Sequence, residues 1–187
     1  MLFGKYDTCR NGSATKIYKP NLEARGALFA KGGKQTQMNA GQVRRAVLGD
    51  LSGLVALYAH LHPAEPALPV DRARRVWAEI LGSSANNVFV IEAPDGTLLS
   101  SCTLALVPNL TRGARPFGVI ENVVSHAAHR RRGHGTRVLR AAVEAAQEAG
   151  CYKVCLATGS KRDETLRFYE GVGFKRDVKT YFEVRWP

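Results

Sequence analysis

The sequence predicts a single α/β domain in which one mixed sheet carries helices on both faces. A β-branched apolar run at residues 119–124 leads through a glycine turn into a long run whose apolar residues recur every three or four positions, as in an amphipathic helix. A second apolar run at residues 153–157 follows, which is the order of a parallel strand pair joined by a crossover helix. Upstream, Pro-Asp-Gly at residues 94–96 separates two strand-like runs and predicts a hairpin.

Residues 1–37 differ from the rest of the chain. They show no sustained periodicity and end in a polar stretch with two adjacent glycines at residues 31–37. We interpret them as an N-terminal extension, either a vector-derived leader or a poorly ordered arm. The domain proper is therefore predicted to occupy residues 38–187.

The first part of the domain predicts a strand and two helices. Residues 42–48 alternate like a first strand. Asp50 is predicted to cap a helix from Leu51 to about His60, and Asp71 to cap a second helix that runs through Leu81. A proline-rich stretch at residues 63–69 separates the two helices.

The later elements follow the same signals. The predicted segments are strands at residues 87–91 and 98–107, a polar loop at 109–116, a central strand at 117–124, a buried strand at 153–157, a short helix at 164–170, and a final hairpin or strand pair at 174–186. The polar loop carries arginines and is expected to reach over a substrate pocket.

Charge and cysteine content exclude several classes of function. The net charge is +11, of which +5 falls in residues 1–37, and the remainder shows neither basic residues interleaved with aromatics nor a helix-turn-helix pattern, so no nucleic-acid partner is expected. No apolar run approaches the roughly 18 residues of a membrane span. The four cysteines form no C-x-x-C pair, and no histidine stands at zinc spacing. We expect reduced thiols, a cytoplasmic protein and no metal site.

The glycine turn after residue 124 indicates a phosphate site. A strand that leads through glycines into a helix N-terminus offers unpaired N–H groups and the positive end of the helix dipole. Arg130, Gly133 and Gly135 form the spacing R-x-x-G-x-G. A dinucleotide fingerprint would need Gly or Ala where Val138 stands, and a P-loop would need Gly-Lys-Ser/Thr. Flanking arginines favour a polyanionic ligand.

This spacing resembles the pyrophosphate loop R/Q-x-x-G-x-G/A of the GNAT superfamily of acetyl-CoA-dependent N-acetyltransferases. Residues 166–174, which contain Phe-Tyr-Glu-Gly-Val-Gly-Phe, resemble the family's later helix-to-strand segment. The resemblance implies the GNAT fold, with acetyl-CoA held between two splayed parallel strands. It also implies that the cofactor-binding residues are Val123, Val124 and Ser125 along the pantetheine arm, and Arg130, Arg131, Arg132, Gly133, His134, Gly135 and Thr136 at the pyrophosphate.

Two residues are candidates for the catalytic roles. By the match to the family, Tyr169 faces the sulfur and protonates the departing thiolate; the alternative is a core tyrosine packed beside Phe168. Glu121 precedes the pantetheine segment, and a carboxylate is costly to bury there without a purpose. It is predicted to orient the acceptor ammonium or to relay its proton, and the alternative is a structural salt bridge to an arginine.

A closer local resemblance is to the eukaryotic glucosamine-6-phosphate N-acetyltransferases. Residues 118–124 and 150–154 are similar to the Ile-Glu-Asp and Gly-Cys-Tyr-Lys segments of those enzymes. By that resemblance Glu121 and Asn122 touch the acceptor, while Tyr152 and Lys153 reach it from the partner subunit of a homodimer. The family's aspartate at the end of the next strand is replaced here by Ala157.

These observations predict an N-acetyltransferase that transfers acetyl to the primary amine of a small molecule by direct attack. An amino-sugar acceptor of the glucosamine-6-phosphate type is the first alternative. A binding module that senses acyl-CoA without turnover is the second, and the joint presence of Tyr169 and Glu121 favours the enzyme.

Overall fold

The computed structural model describes residues 41–186 of the chain. The extension expected at residues 1–37 lies outside the described residues, so its separation from the domain stays a prediction.

The described residues form one five-stranded sheet in the order β1-β2-β3-β4-β5. The first four strands pair antiparallel with their neighbours, and β5 pairs parallel to β4. The strands are β1 (Val43–Arg45), β2 (Asn86–Glu92), β3 (Leu98–Val107), β4 (Phe117–Ser125) and β5 (Val154–Leu156). The predicted parallel pair and hairpin are confirmed. In this sheet β3 is the central strand, whereas we expected residues 117–124 to be central.

Four of the described helices lie where the sequence predicts helices, and a fifth, of one turn, lies in the predicted polar loop. They are α1 (Leu51–Tyr58), α2 (Val70–Gly82), α3 (Thr111–Ala114), α4 (His134–Glu148) and α5 (Asp163–Glu170), with 3₁₀ turns at Leu48–Asp50 and Ala127–His129. None of the described helices is long and apolar enough to cross a membrane.

The core lies on both faces of the sheet, as predicted for this fold class. One face packs against α4, whose Val138, Leu139, Ala142 and Ala146 are completely buried. The opposite face packs against α1 and α2 through Leu54, Leu57 and Trp77, with Val88 and Val90 supplying the strand side.

The parallel pair between β4 and β5 is short and then opens. Only Gly118, Val119 and Ile120 of β4 pair with β5, while β4 continues to Ser125. On its other side β4 carries a bulge: Thr103 lies opposite Glu121 and Ser101 opposite Val124, so β4 has one extra residue. Asn122 within the bulge adopts the left-handed φ of 53°. The splay expected from the family resemblance is therefore present.

The two predicted carboxylate caps are wrong. Asp50 precedes α1, but its carboxylate binds Arg44 at 2.6 and 2.7 Å and accepts the Val47 N–H at 2.7 Å. Burial opposes ionisation, but these hydrogen bonds outweigh it and lower the pKa of Asp50. Helix α2 already begins at Val70 after Pro69, so Asp71 lies within its first turn.

Two segments of the predicted topology differ from the structure. Residues 174–186 form no strand and leave large apolar side chains exposed, because β5 offers an edge of only three residues within one chain. The loop at residues 109–116 contains the one-turn α3, in which Arg112, Gly113 and Ala114 have positive φ. The strand predicted as buried at residues 153–157 is the half-buried edge strand β5.

Candidate active site

The turn after β4 has the backbone shape that an anion site needs. Arg131 has φ 60° and Gly133, which precedes the first residue of α4, has φ 79°. Left-handed residues next to right-handed ones turn successive N–H groups toward one side. Nothing lies within 4 Å of where a Gly133 side chain would begin. The turn is thus open above the helix N-terminus, where the first N–H groups of α4 have no acceptor among residues 41–186.

The second glycine of the turn is required by packing. A Cβ at Gly135 would lie 3.1 Å from the Phe168 ring and 3.2 Å from Ser125 Oγ. Ser125 Oγ is itself 3.0 Å from Ser100 Oγ, which donates to the Val124 carbonyl at 2.7 Å. Gly135 therefore lets α4 approach the end of β4 and α5 closely. Phe168, which neighbours Tyr169 on α5, is held in place by the same contact.

The side chains around the turn are mainly basic. Arg130, Arg131 and Arg132 are exposed, and within residues 41–186 Arg131 alone of the three makes an ion pair, with Glu164 at 2.9 Å. Burial lowers the pKa of His134, and the positive charges of Arg137, His129 and Arg132 lower it further. His134 is therefore neutral at pH 7, and its buried Nδ1 has no hydrogen-bond partner among the described residues.

Tyr169 lies half-buried on α5 beside Phe168 and Phe174. Burial raises the pKa of Tyr169, and the nearby negative charge of Glu121 raises it further, while a hydrogen bond with the Thr158 side chain acts in the opposite direction. The phenol accordingly keeps its proton at neutral pH. Tyr169 and Glu121, one from α5 and the other from β4, thus come together at the opening between β4 and β5.

Glu121 is exposed, which corrects the expectation of a buried carboxylate. The bulge and the end of the β5 pairing leave its side chain at the open part of the sheet. None of the ion pairs formed by residues 41–186 involves Glu121. The structural salt bridge that we considered as the alternative is therefore not formed in the described part of the chain.

The remaining predicted acceptor residues are not brought together within one chain. Asn122 is exposed in the bulge, whereas Tyr152 and Lys153 lie beside Phe117 at the other end of β4. The Lys153 Nζ is 5.1 Å from the Phe117 ring, and Tyr152 N–H donates to the Pro116 carbonyl at 2.9 Å. Phe117 and Glu121 are four residues apart on one strand, about 13 Å at 3.3 Å per residue.

The described residues contain no group of three or more His, Cys, Asp or Glu side chains arranged to hold a metal ion. Residues 54–174, which span the turn, the bulge and Tyr169, match the model of the Acetyltransferase (GNAT) family. The chain belongs to the GNAT acetyltransferase family. It is therefore an N-acetyltransferase, as the sequence predicts.

Known GNAT proteins resemble the chain along most of its length. It is 34% identical over 126 residues to a glucosamine 6-phosphate N-acetyltransferase of Trypanosoma brucei brucei, covering 67% of this chain and 83% of that protein. It is 37% identical over 138 residues to a protein of Oryza sativa subsp. japonica named as glucosamine 6-phosphate N-acetyltransferase 2, covering 71% and 81%. The solved structure of a protein from Agrobacterium tumefaciens str. C58, assigned as an acetyltransferase, is similar with a TM-score of 0.73. The two sequences are 43% identical, and the match covers 78% of this chain and 99% of that protein.

Some residues at this GNAT site have no recognisable sequence signal. Thr158 follows β5 and contacts the Tyr169 hydroxyl, but a lone threonine after a strand carries no motif. Tyr58 ends α1, and its hydroxyl approaches those of Thr103 and Ser101; Ser101 Oγ is nevertheless buried without a hydrogen-bond partner in the described structure. The only sequence sign of these contacts is the group of polar residues Ser100, Ser101 and Thr103 within the otherwise apolar β3.

Proposed function

We propose that the chain transfers the acetyl group of acetyl-CoA to the primary amine of a small molecule by direct attack. The opening of the sheet between β4 and β5 carries the proposal. It has a basic, glycine-containing turn at one end and the pair Tyr169 and Glu121 beside it. Acetyl-CoA supplies an activated thioester, and the residues of the chain bind it, orient the amine and handle two protons.

The residues of the turn fit a pyrophosphate. The open space over Gly133 admits an anion to the free N–H groups between Arg131 and Thr136, and Arg130 and Arg132 add positive charge. Glu164, the carboxylate that reaches the turn, is already paired with Arg131. Beyond Ile120 the edge of β4 has no β5 partner, so backbone groups of Val123, Val124 and Ser125 are available to a pantetheine arm.

Glu121 is proposed to accept a proton from the acceptor ammonium. An amine attacks a thioester only as the neutral base, so one proton must leave before the C–N bond forms. Exposure suits this role, because Glu121 can meet a soluble acceptor and return the proton to water. A backbone N–H of the bulge is available to stabilise the charge that develops on the thioester oxygen.

Tyr169 is proposed to protonate the thiolate as the C–S bond breaks. Its raised pKa keeps the phenol protonated at neutral pH, whereas a thiol near pKa ~8.5 leaves partly as the anion. The ammonium loses two protons overall. One goes to water through Glu121, and the other balances the proton that Tyr169 gives to the thiolate, so that the phenol is regenerated.

An amino-sugar phosphate is the second candidate acceptor. The names of the Trypanosoma and Oryza relatives and the segments around Glu121 and Tyr152 support it. Ala157 argues against it, since this residue is exposed at the end of β5 where the resemblance implies a carboxylate. The cytoplasmic location stays a prediction.

We further propose that the chain acts as a homodimer built on its C-terminal segment. Residues 182–186 alternate apolar and polar side chains, and Val178, Phe182, Val184 and Trp186 are 68%, 87%, 74% and 82% exposed. A groove of about 560 Å³ runs along the free edge of β5 and is lined by Val154, Leu156, Val172 and Phe174. A strand from a second copy would cover both the exposed apolar side chains and the groove. It would also bring the partner's β5 toward Asn122.

Release of free CoA from acetyl-CoA in the presence of an amine panel tests the proposal. The panel should include glucosamine 6-phosphate, glucosamine and simple polyamines. We expect amine-dependent release that Tyr169→Phe and Glu121→Gln reduce. Binding of acetyl-CoA without release for any amine would favour the sensor, and release with glucosamine 6-phosphate alone would favour the amino-sugar acceptor.

A further inference from the structure

Three histidines from different segments meet beside the turn that follows β4. His60, two residues after α1 ends, lies in the connection to α2, and its ring centroid is 4.5 Å from that of His126. His126 follows the last residue of β4, and its ring is 5.1 Å from that of His129. His129 immediately precedes Arg130. We refer to His60, His126 and His129 as the histidine cluster.

All but one of the imidazole nitrogens of the cluster lack a hydrogen-bond partner in the described part of the chain. His126 Nδ1 accepts the Ala128 N–H at 3.3 Å, so the ring proton is on Nε2, which is a donor. Within residues 41–186, neither the His60 nor the His129 imidazole forms a hydrogen bond or an ion pair. All three side chains are half-buried and thus remain partly open to solvent.

The charges that face the cluster are mainly positive. Arg130 follows it directly, and the positive charges of His129, Arg132 and Arg137 all act on His134 at the start of α4. Asp95 in the turn between β2 and β3 is a carboxylate within electrostatic range of the cluster: hydrogen bonds from Thr97 lower its pKa, and the charge of His129 lowers it slightly further. Glu65, on the same connection as His60, lies 3.8 Å from His62, outside the cluster.

We propose that the histidine cluster forms a second wall of the anion site, and that His60 brings the α1–α2 connection onto a phosphate group of the bound cofactor. The inference rests on the proposed use of acetyl-CoA and extends its binding site to a segment remote in sequence. The described part of the chain shows no metal-holding arrangement here, and the edge-to-face rings suit an anion held against their N–H groups.

The proposal has a consequence for protons. Imidazolium rings with centroids 4.5 and 5.1 Å apart would repel each other and the neighbouring arginines, whereas a bound phosphate carries the opposite charge. A bound phosphate offsets this repulsion, and linkage then requires that cofactor binding takes up a proton. Affinity must therefore increase as the pH falls from about 8 to about 6, the range in which imidazoles gain a proton.

Calorimetry with dephospho-CoA tests this in the full chain. The only phosphate group of this ligand is the pyrophosphate, whose charge does not change between pH 6 and 8. Its thiol loses a proton only toward the upper end of that range, at the far end of the pantetheine arm, so a pH dependence that the histidine variants remove comes from the protein. We expect binding about fivefold tighter at pH 6, the scale of converting one neutral hydrogen bond into a charge-assisted one. Repeating the titration in buffers of different ionisation enthalpy should show net proton uptake.

The variants separate the cluster from other histidines. His60→Asn should remove most of the increase at pH 6 and change affinity little at pH 8, and His129→Asn should act in the same direction. His62→Asn is the matched control, because His62 lies on the same connection outside the cluster, and it should behave like the wild type. A pH effect that appears with CoA but not with dephospho-CoA, and that His60→Asn removes, assigns the 3′-phosphate as the ligand.

Two results would overturn the inference. One is wild-type affinity for both ligands that is equal at pH 6 and 8. The other is a pH dependence that survives in His60→Asn and His129→Asn proteins with wild-type melting temperatures. Failure of the wild type to bind either ligand at both pH values would instead count against the proposed function.

Discussion

Replacing Tyr169 by phenylalanine distinguishes a catalytic role of this residue from a role in packing alone. The ring stays in the cluster with Phe168 and Phe174, and only the hydroxyl and its hydrogen bond with Thr158 are lost. One such hydrogen bond contributes about 0.5–1.5 kcal/mol. In a protein of 187 residues this corresponds to a fall in Tm of at most about 6 °C.

The effect on rate should be much larger. General acid catalysis contributes about 10²–10⁴-fold, and we expect the lower end, because Tyr169 is only half-buried and water can replace its proton. A 10²-fold loss of kcat is about 2.7 kcal/mol of transition-state stabilisation, which exceeds the stability effect. The KM for acetyl-CoA should change little.

The pH profile gives a second, directional readout. Tyr169 acts in its protonated form, so kcat should fall as the pH rises through its raised pKa, above the ordinary value of 10. Glu121→Gln removes a charge that raises this pKa and should move the alkaline limb to lower pH. Thr158→Val removes the opposing hydrogen bond and should move it to higher pH.

Steady-state rates and melting curves measured on the same proteins decide between the catalytic role and the packing role. Tyr181→Phe is a matched control, since this tyrosine is 66% exposed and its hydroxyl donates to the Glu183 carboxylate at 3.2 Å. A folded Tyr169→Phe protein with undiminished kcat, under conditions where chemistry limits the rate, would remove Tyr169 from the mechanism.

Three further predictions concern the cofactor turn, the N-terminal segment and the assembly. Gly133→Asp should abolish acetyl-CoA binding in calorimetry, because a carboxylate would meet the pyrophosphate; Gly150→Asp, at the similar φ of 77°, should bind normally, and equal loss in both would contradict the turn assignment. A chain lacking residues 1–37 should keep its melting temperature and its affinity for acetyl-CoA, whereas a loss of several degrees would mean that these residues pack on the domain. Light scattering should find a dimer of about twice the 20.4 kDa chain mass, which deletion of residues 178–187 converts to a monomer; a ~20 kDa particle for the full chain at micromolar concentration would refute dimerisation.

Periodicity predicted most of the fold because each long element buries one face. In α4 the apolar positions Val138, Leu139, Ala142 and Ala146 are the completely buried ones, as their spacing requires. The hairpin of β2 and β3 followed from its turn residues. The two cap predictions were wrong for local reasons. Asp50 pairs with Arg44 instead of capping α1, and α2 begins directly after Pro69, before Asp71.

The last predicted strands failed because alternation indicates only that a segment can pair, not that an edge is available. Residues 182–186 alternate correctly, but β5 presents three residues, and only a second copy could supply more. For the candidate site, the R-x-x-G-x-G spacing predicted a glycine turn at the N-terminus of a helix, which α4 has, but the close packing of Gly135 against Phe168 and Ser125 has no sequence signal. The exposure of Glu121 depends on the β4 bulge and on where β5 ends, and neither has a sequence signal.

The most direct test of the account is a crystal structure of the chain with CoA. We predict that the pyrophosphate lies within hydrogen-bond distance of the N–H groups between Arg131 and Thr136. The pantetheine should run along Val123 to Ser125, and the sulfur should lie within about 3.5 Å of the Tyr169 hydroxyl. CoA bound away from the opening between β4 and β5, or a sulfur that Tyr169 cannot reach, would contradict the account.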